Sequence, residues 1–311
     1  MDDRPVVCLM GPTASGKTAI AVRLCQQYPL DIISVDSALV YRGMDIGTAK
    51  PDDETLAIAP HRLIDIRDPE QAYSAGDFIA DALREIDAIH GSGRVPILVG
   101  GTMMYFRALT EGLADLPKAD EKTRNELDAD AAIVGWPTMH DRLAMVDPIA
   151  ANRINQNDSQ RIQRALEVFE ISGKTITEWH EKALPPNDQY QFKKLALVDS
   201  DRQRLHDRIG KRFESMLQQG FLDEVRGLMA RSGLSADSPS MRAVGYRQAW
   251  AHLDGEYDLE MTIHKATVAT RQLAKRQMTW LRTEKQLKVL DPLEKATYEV
   301  ISGLVAKLMD E

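Results

Sequence analysis

Gly11-Pro12-Thr13-Ala14-Ser15-Gly16-Lys17-Thr18 fits the pattern G-x-x-x-x-G-K-[ST], and the residue types suit one task, the grip of a polyphosphate. Gly11 and Gly16 permit a tight turn. Successive backbone N–H groups and the start of a helix then face the phosphate oxygens, Lys17 adds a positive charge, and the Thr18 hydroxyl can hold Mg²⁺. The motif recognises phosphates and leaves the reaction open. A nucleoside triphosphatase needs an acidic residue at a strand end to organise Mg²⁺ and water, yet the apolar run Val95 to Val99 ends in Gly100-Gly101-Thr102. Asp36 and Asp199 do end apolar runs, so on this evidence an ATPase or a small-molecule kinase stays open.

Such a loop works only between a strand and a helix. Val6 to Met10 reads as that strand and Ala19 to Leu24 as the helix. Further strands are expected at Ile32 to Val35, Leu63 to Ile66 and Val95 to Val99, with a helix from Ser74 to His90 that Ser74 would cap. Strands alternating with helices imply a parallel sheet whose ligands bind at the strands' carboxyl ends, where Met10, Asp36 and Val99 lie. From about Leu116 helical periodicity takes over, as in Ile162, Ala165, Leu166 and Phe169, before strand character resumes at Leu195. The fold class expected is therefore α/β, a P-loop NTPase-like parallel sheet flanked by helices, with residues 1–115 and 195–311 as the core and 116–194 as a mostly helical insertion. Leu287 to Leu290 would add a last strand before a closing helix.

The 311 residues, 43% hydrophobic and 28% charged, are ordinary for globular chains and exclude low-complexity and disulfide-scaffold classes. Cys8 and Cys25 are too few for a bridge framework or a Cys-rich zinc site and fit a reducing cytoplasm. The apolar run near the N-terminus is too short for the core of a signal peptide, and no run reaches membrane-spanning length. A net charge of −8 argues at first against a nucleic-acid partner. By segment the picture differs: residues 1–180 carry 18 basic and 28 acidic side chains, and residues 181–311 carry 21 and 19. Between His264 and Lys288 seven basic residues, among them Arg271, Lys275 and Arg282 on one helix side, face a single acid, Glu284. A second basic cluster comprises Arg202, Arg204, Arg208, Lys211 and Arg212.

Asp36-Ser37-Ala38-Leu39-Val40-Tyr41-Arg42-Gly43-Met44-Asp45-Ile46-Gly47-Thr48-Ala49-Lys50-Pro51 follows the second strand, and with the glycine-rich loop it resembles the tRNA dimethylallyltransferases. Further signatures of that family stand in order at Pro60 to Asp65, Val99 to Tyr105, Gln160 to Glu167, Met241 to Gln248 and Thr270 to Gln277, so that the likeness covers nearly the whole chain. Leu39 departs from it, since many members carry Gln there. The low cysteine count agrees with the bacterial form, without the zinc finger of eukaryotic members.

The resemblance implies transfer of a dimethylallyl group from dimethylallyl diphosphate to N6 of the adenosine 3′ of a tRNA anticodon, with Mg²⁺ as cofactor, by a cytoplasmic monomer. Asp36, facing the phosphate loop, would take the N6 proton, its strand-end position suiting a loop-capping or Mg²⁺-organising carboxylate as well, and Thr102 would orient the diphosphate or N6 or else cap the helix that follows. Met103, Met104 and Tyr105 read as core, and His61 as a structural hydrogen-bonding residue. The tRNA contacts implied are Asp36, Ser37, Ala38 and Leu39; Thr102 and Arg124; Gln160, Arg161, Ile162, Gln163 and Arg164; and Arg242, Ala243, Val244, Gly245, Tyr246 and Arg247. Arg161 and Arg164, three apart on a helix whose other side carries Ile162, Leu166 and Phe169, are expected to reach outward together. The adenine would have to leave its stack, for which an anticodon loop is the cheapest target. Two other readings compete: a small-molecule kinase, and a nucleotide-dependent RNA-binding switch.

Overall fold

The computed structural model describes residues 4–182 and 188–310. In chain order the elements are β1 Pro5–Met10, α1 Lys17–Cys25, β2 Leu30–Val35, α2 Asp53–Ile58, β3 His61–Arg62, α3 Ala75–Gly91, β4 Val95–Gly100 and α4 Met103–Glu111. Five helices follow: α5 Glu121–Val134, α6 Trp136–Val146, α7 Pro148–Arg153, α8 Ser159–Ser172 and α9 Ile176–Glu181. The chain then runs through β5 Gln191–Leu197, α10 Arg202–Gln218, α11 Phe221–Met229, α12 Tyr246–Leu253, α13 Leu259–Thr283, β6 Leu287–Leu290 and α14 Thr297–Asp310. The Cα positions divide into two compact units, Met1–Ala108 with Asp188–Glu311, and Leu109–Asn187.

In the first unit the strands form one parallel sheet in the order β3-β2-β4-β1-β5-β6. Strands β1 and β4 are near-continuous apolar runs because helices cover both faces of a parallel sheet. On one face Val7, Leu9, Ile32, Ile97 and Leu195 pack with Leu24 of α1 and with Ile301 and Val305 of α14. A separate apolar cluster joins Val40, Tyr41 and Met44, in the loop after β2, to Phe213, Phe221, Tyr246 and Ala266 of the C-terminal helices. That cluster fixes where the loop can stand. Helix α3 starts at a capping box in which Ser74 accepts from the Asp77 amide and Asp77 accepts from the Ser74 amide. The Ser74 cap was legible in the sequence.

One strand differs from expectation. Leu63 to Ile66 is a turn, and β3 is only His61–Arg62. Leu63 and Asp65 take left-handed φ values of 62° and 55°, which break an extended run. The Asp65 and Ile66 amides donate to the carbonyls of Leu39 and Val40, so this segment braces the loop after β2. At the other end of the sheet, β5 opens at Gln191, before the apolar run at Leu195 that marked it in the sequence.

The second unit is helical. Leu127 and Ala131 of α5, Met139 and Leu143 of α6, and Ile162, Ala165 and Leu166 of α8 form its core. No helix among the described residues is long and apolar enough to cross a membrane.

Candidate active site

The glycine-rich loop stands between β1 and α1, at the carboxyl end of a central strand. A side chain at Gly11 would put its Cβ 2.7 Å from both the Leu197 carbonyl and Ser15 Oγ, so the approach of β5 admits only glycine. Gly16, with φ 86°, turns the chain into α1, whose first-turn amides lack helical partners. Lys17 Nζ donates to the Pro12 carbonyl at 2.8 Å and to Ser15 Oγ at 3.3 Å. Burial pulls the Lys17 pKa down to about 8; the nearby Asp36 carboxylate opposes that shift and Arg212 adds to it.

Asp36 follows β2, and its Oδ1 accepts from the amides of Ala38 at 2.9 Å and Leu39 at 3.4 Å. The carboxylate thus shapes its own turn. Thr102, after β4, donates its amide to the Val35 carbonyl at 3.2 Å, and its Oγ1 accepts from the Ser37 amide at 3.1 Å. With that lone pair engaged, the hydroxyl proton remains available to donate. Gly100 and Gly101 bring the ends of β2 and β4 together: a Cβ on Gly100 would lie 2.0 Å from the Val35 carbonyl oxygen. Asp36 and Thr102 are therefore held as neighbours by backbone bonds.

A cavity of about 530 Å³ opens where these loops meet. Thr13, Ala14, Lys17 and Thr18 line one side, and Asp36 to Leu39 with Thr102 line another. Arg242 to Tyr246 complete the set of sequence-chosen residues there, while Arg247 is exposed and lies outside the lining. Met103 is buried and Met104 half exposed, and both line the cavity; Tyr105 stacks on Phe78 in the core with ring centroids 4.5 Å apart. His61 Nδ1 bonds the Ala59 carbonyl at 2.7 Å, a structural contact.

Among the cavity residues that were not given this place from the sequence are Arg212, Gln277 and Trp280. Arg212 donates to the Thr48 carbonyl at 3.0 Å, and burial lowers its pKa against the pull of Asp36. Gln277 is buried between the glycine-rich loop and Gly101. Trp280, one turn along α13, carries the Arg107 guanidinium 4.5 Å above its ring. Arg212 and Gln277 share the one signal a sequence could give, a polar residue on an apolar helix stripe: Ile209, Phe213 and Met216 flank the first, Ala274 and Leu281 the second.

The cavity wall at Gly47 to Ala49 is clamped from behind. Glu224 of α11 accepts from the amides of Asp45 at 2.9 Å, Ile46 at 2.7 Å and Gly47 at 3.2 Å, and from the Tyr246 hydroxyl at 2.6 Å. Burial raises the Tyr246 pKa, and the Glu224 charge raises it further. Tyr246, expected as a tRNA contact, is thus a fully buried strut whose ring closes over Gly47. Lys50 Nζ donates to the Tyr41 carbonyl at 3.0 Å and to Asp45 and Asp65 at 2.5 Å each.

The remaining expected contacts belong to the helical unit. Glu167 of α8 is fully buried and accepts from Arg124 Nε at 2.9 Å, Arg164 Nη1 at 2.6 Å and the Asp120 amide at 2.8 Å. Burial works to raise its pKa, but the two guanidinium bonds outweigh it and hold the carboxyl below its ordinary value. Arg164 also donates to the Pro117 carbonyl at 2.6 Å. Arg161 and Arg164 therefore do not reach outward together: Arg161 is exposed near Asp158, whereas Arg164 turns inward. The Ile162 side chain is fully buried in the unit's core and presents nothing to a partner. Gln163 bonds Asp128 at 2.7 Å, and Gln160 is exposed. Asp199, the other strand-end acid, is held by Arg204 at 2.9 Å and Arg208 at 2.7 Å, which removes both arginines from the free basic surface.

Residues 39–284 match the model of a protein family described as IPP transferase, a match that begins just after Asp36 and the glycine-rich loop. Similar solved structures cover those too. A tRNA isopentenylpyrophosphate transferase from Bacillus halodurans is 36% identical with a TM-score of 0.71, over 99% of this chain and 97% of that one. A tRNA delta(2)-isopentenylpyrophosphate transferase from Staphylococcus epidermidis is 30% identical with a TM-score of 0.69, over 98% and 99%. A eukaryotic dimethylallyltransferase acting on tRNA shares the fold, at 24% identity and a TM-score of 0.80, over 98% of this chain and 78% of that one.

Proposed function

The chain belongs to the IPP transferase family, and from that premise we propose that it transfers the dimethylallyl group of dimethylallyl diphosphate to N6 of the adenosine 3′ of a tRNA anticodon. The observation that carries the reading is the cavity lined by a glycine-rich loop with Lys17 and Arg212 and by the neighbours Asp36 and Thr102, the latter tied to the Asp36 turn through the Ser37 amide. One wall suits a leaving diphosphate and the other a nucleophile that must lose a proton.

Breaking the allylic C–O bond puts negative charge on the diphosphate oxygen while the allyl carbon turns cationic. Loop amides, Lys17 and Arg212 meet that growing charge with dipoles and cations already in place. N6 attacks the allyl carbon, the N–C bond forms as C–O breaks, and the N6 proton passes to the Asp36 carboxylate. Asp36 is oriented by the Ala38 and Leu39 amides, and the Ser37 amide orients Thr102 Oγ1 by bonding one of its lone pairs, which leaves the hydroxyl proton free to be donated to substrate. Met103 and Met104 supply apolar wall for the prenyl group.

The residues present fit Mg²⁺ in one respect: the Thr18 hydroxyl offers a hard oxygen in the same cavity as the glycine-rich loop, the kind of single protein ligand such a cation takes beside phosphate oxygens. Thr18 would hold it, and when bound it would neutralise charge on the diphosphate.

The test is incubation of the protein with Mg²⁺, labelled dimethylallyl diphosphate and unmodified tRNA carrying adenosine beside the anticodon. Label in tRNA is expected. No label, together with ATP-dependent phosphorylation of a metabolite, overturns the reading and makes the chain a kinase.

A further inference from the structure

Gln277 is an uncharged polar residue on the buried stripe of α13, 8% exposed, in company with Thr262, Ala266, Ala274 and Leu281. An amide there is costly unless both of its ends are bonded. Both are. Its Oε1 accepts the Thr13 amide proton at 2.9 Å, and its Nε2 donates to the Gly101 carbonyl at 2.8 Å. The partners fix the orientation of the amide, since an N–H needs the oxygen and a carbonyl needs the NH₂. They also lie far apart in the chain: one is in the glycine-rich loop after β1 and the other precedes α4.

The two bonds therefore hold two catalytic loops at a fixed separation from a third element. Gly101 is shaped for this, because a Cβ there would come within 2.5 Å of Gln277 Nε2. From Gly101 the chain of contacts continues to Thr102, whose Oγ1 accepts from Ser37 beside Asp36. One bond also subtracts from the phosphate side: the Thr13 N–H points at Gln277, so the amides left for an anion begin after it.

We infer that Gln277 is a positioning residue for the transfer reaction, setting the distance between the diphosphate cradle and the Thr102–Asp36 pair. The inference rests on the prenyl-transfer reading for its kinetic test and on geometry alone for its structural test. A displacement of about 1 Å between reacting groups can cost about 10²-fold in rate with binding intact.

The experiment compares wild type, Gln277→Met, Gln277→Glu, Thr102→Ala and the double variant Gln277→Met/Thr102→Ala, all in the full chain. Gln277→Met, similar in length and without polar ends, should lower kcat about 10²-fold while KM for tRNA and for dimethylallyl diphosphate stays within about threefold. Gln277→Glu keeps the acceptor for Thr13 but turns a carboxylate oxygen toward the Gly101 carbonyl, a repulsion that should lower kcat at least as far as Gln277→Met does. In the double variant the two losses should not multiply, since both act through the Gly101–Thr102 segment. Hydrogen exchange over residues 11–16 and 100–104 should rise in Gln277→Met.

An unchanged kcat, a loss confined to KM for tRNA, or losses that multiply would each overturn the inference; the second would make Gln277 an RNA contact. If Gln277→Met fails to fold, Gln277→Glu decides the same question. A wild-type protein that transfers no prenyl group sinks the proposed function instead, and unchanged exchange protection in the variants then still decides against the tie.

Discussion

Arginine does opposite work in the two units of this protein. In the cavity of the sheet unit Arg212 bonds a backbone carbonyl and stands with Lys17 where both feel a single acid, Asp36, so positive charge is left over for an anion. In the helical unit Arg124 and Arg164 converge on the buried carboxylate of Glu167, which neutralises one of them outright and bonds both. The first arrangement stores electrostatic potential for a ligand, and the second consumes it for stability. What separates them is the partner that meets each guanidinium, carbonyl or carboxylate.

That contrast breaks most visibly at Asp36, the one acid among the described residues that line the cavity. Asp36→Asn keeps an oxygen to accept from Ala38 and Leu39, so the turn should survive, but the amide cannot take a proton. The transfer rate should fall by about 10²- to 10⁴-fold with tRNA and diphosphate binding largely kept. Single-turnover rates and equilibrium binding measure the two separately. Equal losses in both would assign Asp36 to ligand or metal organisation.

Glu167→Ala tests the other side. Removing the acceptor leaves the Asp120 amide and two partly exposed guanidinium groups without it, and should destabilise the helical unit by about 1–3 kcal/mol. Urea unfolding followed over peptides of residues 109–182 reads it. Because the Glu167 carboxyl is held below its ordinary value of 4.5, its stabilising contribution is complete above that pH and is lost as pH falls through the depressed value. A variant as stable as wild type would mean that the arginines find water equally well, and the contrast would fail.

Much of this was legible in the sequence, and the reason is local. Strands buried on both faces print continuous apolar runs, as Val95 to Leu98 do, and the glycine-rich loop is contiguous, so spacing alone reveals it. Asp36 and Thr102 could be nominated because both follow such runs. Strand β3 could not be found: His61 and Arg62 carry no apolar signal, and the apolar residues after them belong to a turn braced by long-range bonds. Gln277 and Glu224 escaped for the same cause, since their partners lie in loops that only folding brings near. Helical spacing put Arg161 and Arg164 on neighbouring positions but could not say that Glu167, three residues after Arg164, would claim one of them.

A smaller effect follows from the Lys17 amine. Its pKa of about 8 means that the charge needed for diphosphate is present below that value and lost above it. At subsaturating dimethylallyl diphosphate, kcat/KM should therefore fall about tenfold per pH unit above about pH 8, and Lys17→Arg, charged throughout, should remove that limb. A profile flat to about pH 9 in the wild type would show that Lys17 is not the group that meets the anion.

The finest discrimination lies within one helix. Arg161 is two-thirds exposed beside Asp158, whereas Arg164 is one-quarter exposed and committed to Glu167 and Pro117. If the helical unit contributes phosphate contacts to tRNA binding, Arg161→Ala should weaken binding modestly and lower the slope of log K against log salt by up to about one, the signature of a lost phosphate contact. Arg164→Ala should leave the salt slope alone and lower the unit's melting temperature instead, since it removes a neutralising partner from a buried carboxylate. Reversed outcomes would place Arg164 on the RNA and require that its bond to Glu167 open on binding. The acidic surplus of residues 1–180 makes the measurement clean, because it suppresses the non-specific binding that would otherwise mask the loss of a single cation.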